Sequence, residues 1–282
     1  MYHRSLNIPH FTFVSMFIDT HCHLDSYERH SNEPLDDFFA RLSHDADKNV
    51  QPPEAYIHVA CDPADFERAQ ELSERYPNVY AAYGIHPEYV LTETAQDEAR
   101  LVEFLKHPKC VACGEFGLDY HYDLEHRNQQ VVLFERHLQI ALASQKPLVL
   151  HLREADNDAL AVLRNADLSG RKIHIHCFTG TPEFCEQLLD LGSKNADIFV
   201  GFTGIVTFKN AQNVRDAAAL VPMDQMLLET DSPYMAPVPY RGKPCHSGYI
   251  PYIAKALAQV KQIPVEQLYR DCRENTKRCY GI

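Results

Sequence analysis

Short apolar runs recur along the chain. Each is followed by a polar turn and then by a stretch with apolar residues at helical spacing. Runs at 17–21, 55–61, 79–83, 110–114, 148–151, 172–176, 198–202 and 225–229 read as strands. Between them, helices are predicted at 35–42, 62–75, 95–106, 127–145, 155–165, 182–191 and 210–220, and two more close the chain at 250–260 and 265–276. In 127–145 the spacing is carried by Val131, Leu133, Phe134, Leu138 and Leu142. Asp62 before Pro63 supplies an N-cap, and Pro182 a helix start. Strands separated by helical segments of this length pair in parallel. Eight such alternations without a linker fit a single α/β domain, a (β/α)8 TIM barrel, whose active site lies at the C-terminal ends of the strands. A doubly wound sheet is the alternative, but no Gly-rich dinucleotide fingerprint follows the first strand.

Those C-terminal ends carry the chemistry. The first strand runs into His21 and His23, the fourth into Glu115, the fifth into His151, the sixth into His176 and the last into Asp231. His21 and His23, two apart on extended backbone, face the same side, and Cys22 faces the other. A carboxylate at the end of a buried strand is costly unless something cationic meets it. Several imidazoles with carboxylates suit zinc, manganese or another transition ion. Glu115 is the acid best placed to bridge two ions. Such a pair, roughly 3.5–4 Å apart, activates water and stabilises entering and leaving oxygens, which implies hydrolysis. Asp231, fixed in a Thr-Asp-Ser-Pro turn, has the reach of a general base.

Composition narrows the partners. A net charge of −12 argues against a broad electrostatic grip on nucleic acid. It leaves room for local neutralisation of phosphates by metal ions and a few arginines. No apolar run approaches the ~20 residues of a membrane span. Nine scattered cysteines suit a reducing cytoplasm, and Cys110-x-x-Cys113 lacks the second pair that a structural zinc site needs. Residues 1–15 read as an N-terminal extension outside the fold, and 16–282 as the barrel domain.

The ordered motifs from Asp19-Thr20-His21-Cys22-His23 through Gly84-Ile85-His86-Pro87, Gly114-Glu115-Phe116-Gly117-Leu118-Asp119, His151 and His176-Cys177-Phe178-Thr179-Gly180 to Glu229-Thr230-Asp231-Ser232-Pro233 resemble the TatD family of metal-dependent deoxyribonucleases, amidohydrolase-like barrels. The resemblance spans 17–282. It implies phosphodiester hydrolysis on DNA, as a 3′-to-5′ exonuclease on single strands with a free 3′ end, by a cytoplasmic monomer. It also implies two divalent ions (zinc, manganese or magnesium): His21, His23, Glu115 and Asp231 hold one, and Glu115, His151 and His176 the other. Asp231 and Glu115 are the catalytic pair. His86 matches a family position near substrate, with a turn-capping histidine as the bland reading. Arg153 and Arg241 offer planar forks for phosphate oxygens, and Tyr234 lines the channel. Asp119 and Tyr120 are expected to hold supporting hydrogen bonds, and His174 to be a core histidine. Pro244-Cys245-His246-Ser247-Gly248 departs from the family's Asn-Glu-Pro stretch. A metallohydrolase acting on another ester or amide, such as D-aminoacyl-tRNA, is the competing function. A non-catalytic barrel is the third, disfavoured by the intact ligand set.

Overall fold

The computed structural model describes residues 17–282 except 45–48; the expected extension at 1–15 lies outside the described residues. Eight parallel strands follow one another around a single sheet: β1 (Asp19–Cys22), β2 (Tyr56–Ala60), β3 (Val79–Tyr83), β4 (Cys110–Asp119), β5 (Leu148–Arg153), β6 (Arg171–Ile175), β7 (Ala196–Phe202) and β8 (Met226–Leu228). Among the described residues, ten α-helices surround it: α1 (Leu24–Ser31), α2 (Leu35–His44), α3 (Phe66–Arg75), α4 (Ala95–Phe104), α5 (Arg127–Ser144), α6 (Asp156–Asn165), α7 (Pro182–Asn195), α8 (Gln212–Leu220), α9 (Ile250–Lys261) and α10 (Val265–Tyr280). Alternate strand positions divide the core as a barrel requires. Val149 packs inside with Ile57, Ala82, Phe199 and Leu227, closed off by Tyr280 of α10, while Leu148 and Leu150 pack outward with the helices. Among the described residues no helix is long and apolar enough to cross a membrane.

The seam between β8 and β1 is closed by few bonds. An isolated bridge joins Cys22 to Ser232. The amide of His23 donates to the Ser232 carbonyl at 2.8 Å, and that of Asp231 to the His21 carbonyl at 2.9 Å. The buried Asp19 carboxylate accepts from the Thr230 amide at 3.0 Å and its hydroxyl at 2.6 Å.

Two elements differ from the sequence expectation. The fourth strand does not stop at Gly114 but runs to Asp119, with a register shift against β5 between Cys113 and Phe116. Gly114 and Gly117 both take φ near +149° there, and a Cβ on either would meet a β5 carbonyl within 2.4 Å. The glycines that look like a loop are what let β4 press against β5 while a bulge re-aims Glu115. Helix α1 has no counterpart among the expected elements, because Leu24-Asp25-Ser26-Tyr27-Glu28-Arg29-His30-Ser31 has too few apolar residues to show a period; it forms by burying Leu24 and Tyr27.

Candidate metal centre

Every predicted metal ligand reaches one rim at the C-terminal mouth. His21 lies in β1 with His23 one residue past it, Glu115 in the β4 bulge, His151 in β5, His176 just after β6 and Asp231 after β8. The Nε2 atoms of His21 and His23 face each other at 3.3 Å. Asp231 Oδ1 is 3.4 Å from His23 Nε2 and 3.9 Å from His21 Nε2. Glu115 is central: it lies 3.7 Å from His21, 3.8 Å from His23 and 3.6 Å from His151, and contacts His176 Nε2. His151 Nδ1 stands 3.0 Å from His176 Nε2. Two ligands about 2.1 Å from one zinc ion at a tetrahedral angle are about 3.4 Å apart, so donors at this spacing fit a shared cation. Among the described residues, no hydrogen bond of good geometry satisfies the buried Glu115 Oε2. Candidate ligand atoms of His21, His23 and Asp231, and of His21, Glu115 and His176, form two sets able to hold an ion. The residues therefore fit a divalent metal. Desolvation pushes His21 well below its ordinary value, leaving a neutral lone-pair donor. Burial opposes ionisation of Glu115, but the electrostatic field of His176 and His21 beside it holds it well below the usual carboxylate range.

Outer partners aim these donors. His23 Nδ1 donates to the Val59 carbonyl at 2.8 Å, which turns its Nε2 into the cluster. His151 Nε2 bonds Asp119 Oδ2 at 2.9 Å. Asp119 is anchored through its own backbone by Gln130, a residue that nothing in the sequence pattern marks. Asp231 sits at φ +57°, a left-handed conformation that aspartate tolerates.

One layer deeper, His174 is a buried core histidine, as expected. Its Nδ1 is 2.6 Å from the Tyr280 hydroxyl and its Nε2 is 2.8 Å from Glu229 Oε2. Burial pushes Glu229 up to about 8, so its carboxyl keeps a proton that it can donate to Nε2. Glu229 Oε1 accepts the Cys177 amide, bracing the backbone just after His176. Only glycine fits at Gly201 on β7, since a Cβ would lie 2.4 Å from both Glu229 and His174.

Above the rim opens a cavity of about 570 Å³. His86, Arg153 and Tyr234 line it, as expected. His86 packs edge-on against His151 at 4.4 Å and also accepts the Glu88 amide, so it is both a cavity residue and a turn cap. The Arg153 guanidinium lies 4.8 Å over the ring of Tyr122, an exposed aromatic that no local sequence signal points to. Two expected residues lie elsewhere. Tyr120 turns away from the cluster and donates to Asp158 at 2.6 Å. Arg241 does not line this cavity but a neighbouring trough, stacked 3.8 Å over Phe208. The departing stretch at 244–248 also avoids the cavity: His246 is buried against Tyr249, Tyr27 and Phe38.

An imidazole and carboxylate cluster at the mouth of a (β/α)8 barrel defines the class, a metal-dependent hydrolase with an amidohydrolase-like fold. The chain belongs to the TatD-related DNase family, whose model matches residues 18–281. It is 36% identical over 266 residues to the uncharacterized metal-dependent hydrolase YcfH of Escherichia coli (strain K12), covering 94% of this chain and 96% of that one. It is also 36% identical over 274 residues to the human 3'-5' RNA nuclease TATDN2, covering 94% of this chain and 35% of TATDN2. Among solved structures, the TatD homologue YJJV of Escherichia coli K12 superposes with a TM-score of 0.82 at 28% identity, covering 95% of this chain and 98% of that one.

Proposed function

We propose that this chain is a nuclease that trims single-stranded DNA from a free 3′ end, using a centre of two divalent ions. His21, His23, Glu115 and Asp231 would hold one ion, and Glu115, His151 and His176 the other. The observation that carries this reading is the pairing of that cluster with a cavity whose walls suit a nucleotide. Arg153 there has no carboxylate partner among the described residues, and its fork is free for a phosphate. Tyr122 and Tyr234 present exposed rings on which bases can stack. Nine free thiols support the cytoplasm. Similarity to a relative named as a 3'-5' RNA nuclease supports RNA as a second substrate.

When bound, divalent ions there activate water and stabilise the charge of the leaving oxygen. The protein supplies position and proton transfer. Asp231 takes the proton of the attacking water at its carboxylate, which the seam hydrogen bonds hold in place. Arg153 fixes the scissile phosphate, and Tyr234, beside His23 at 6.2 Å, orients the terminal base.

The test is a substrate panel on protein reconstituted with zinc, manganese or magnesium. A 5′-labelled single-stranded DNA should shorten stepwise with release of mononucleotides, and chelator should stop it. Hydrolysis of D-aminoacyl-tRNA or simple esters without any phosphodiester cleavage would overturn the reading. Metal analysis should approach two ions per chain and fall in Glu115→Gln; full occupancy in that variant would refute the bridging role.

A further inference from the structure

We propose that the trough holding Arg241 and Lys209 binds the phosphodiester backbone of the strand upstream of the cleaved bond, an extension that rests on the nuclease reading. The trough, about 290 Å³, is lined by Phe208, Lys209, Asn213 and Arg241 among others, with no acidic side chain among the described residues of its wall. In a chain of net charge −12, this wall carries two cations and no acid. It connects to the metal centre. An intermediate cavity of about 330 Å³ touches His176 and Asp231 at one end, and Thr179, Ile205 and Asn213, which also line the trough, at the other. A strand whose 3′-terminal nucleotide fills the main cavity therefore has a continuous path past the centre to Arg241.

The cations on that path are available. In the helical shell, Arg41, Arg100, Arg136 and Arg273 each bridge a glutamate. Among the described residues, neither Arg241 nor Lys209 has such a partner. The Arg241 guanidinium carbon lies 3.8 Å over the Phe208 ring, a cation–π contact that holds it at the trough wall while no carboxylate among the described residues takes its N–H groups, which suit the bidentate bonds a phosphate accepts. Asn213 donates to the Thr179 and Gly180 carbonyls at 3.0 and 3.2 Å, tying the loop after β6 to α8 and so fixing the trough wall. The trough, with two unpaired cations and no acidic residue on its wall, matches a polyanionic strand by charge, and the cavity that joins it to the centre, where Glu154 and Asp156 also line the wall, supplies the route.

The experiment compares wild type with Arg241→Gln, Lys209→Gln and the double variant. Hydrolysis is followed on a dinucleotide and on a single-stranded decanucleotide, and binding of a fluorescent decanucleotide is measured in chelator as salt is varied. The ratio of kcat/KM on the decanucleotide to that on the dinucleotide should fall at least tenfold in the double variant. The slope of log Kd against log salt should drop by about 0.7 for each phosphate that is no longer neutralised. Arg241→Lys should restore part of the binding by returning the charge without the fork. An unchanged ratio and slope would overturn the trough while leaving the nuclease reading in place. A wild type that cuts no phosphodiester but shows the slope change would overturn the nuclease reading and keep the trough. A polyglutamate peptide that competes as well as the oligonucleotide would also overturn the assignment.

Discussion

Two layers of the same barrel contain histidines beside carboxylates, and they do opposite things with them. In the deep layer, His174 has short partners on both sides, at 2.8 Å from Glu229 and 2.6 Å from Tyr280. At the rim, two residues further along the chain from His174, His176 joins a cluster whose nitrogens face one another at 3.0 to 3.3 Å. Apart from the contact of Glu115 with His176, the carboxylates of Glu115 and Asp231 stand 3.4 to 3.9 Å from those nitrogens. The residue types are the same. What separates a structural network from a cation site is convergence: at the rim, donor atoms from several strands meet at one point, whereas His174 meets only Glu229 and Tyr280.

This contrast can be broken by substitution, beginning with the rim. Asp231→Asn keeps the shape and suits the same left-handed backbone, but it cannot take up a proton. It should fold and retain much of its metal, yet lose on the order of 10²–10⁴ in kcat; turnover matching wild type at full metal loading would remove Asp231 as the base. Asp119→Asn should lower metal affinity or activity by about 10–100-fold, because the bond that orients His151 is weakened. Metal titration in a competing chelator would read the affinity.

Buried histidines away from the rim should show instead in stability against pH. Burial pushes His246 down to about 3, so the folded protein keeps it neutral while the unfolded chain takes up a proton below about 6.5. Its contribution is complete above that value and is lost as pH falls toward 3, at up to about 1.4 kcal/mol per pH unit. His246→Asn retains an acceptor for the Gly248 amide and should flatten the acid limb of a stability-versus-pH curve. An unchanged limb would show that the site opens before the histidine titrates. The smallest effect belongs to Tyr280→Phe, which removes one buried hydrogen bond and should cost about 1 kcal/mol in denaturant unfolding with kcat intact. A fall in kcat instead would mean that the two layers are mechanically coupled through Glu229.

The barrel and the rim were legible in the sequence for one reason: apolar strands announce themselves by period, and the ligands stand where those strands end. The extent of β4 was hidden, because Gly114 and Gly117 look like loop residues until β5 is seen to need the space. Helix α1 is held by tertiary burial of two side chains and leaves no periodic trace. The direction of a loop side chain cannot be read from spacing, which is why Tyr120 and Arg241 lie away from the expected place while His86, Arg153 and Tyr234 reach it. The deep network was half visible: His174 could be set aside as core, but its partner Tyr280 lies 106 residues further along the chain.

The seam has a consequence for how the protein comes into being. Its two sides come from the opposite ends of the barrel, with Asp19 bonding Thr230 across 211 positions. His21 and His23 stand on one side and Asp231 on the other. A chain made from its N-terminus presents two imidazoles early and waits through seven more strands for the carboxylate that completes them. Until Asp231 has left the ribosome the set of His21, His23 and Asp231 is incomplete, and a copy cut short before that residue lacks both this ligand and the proposed base.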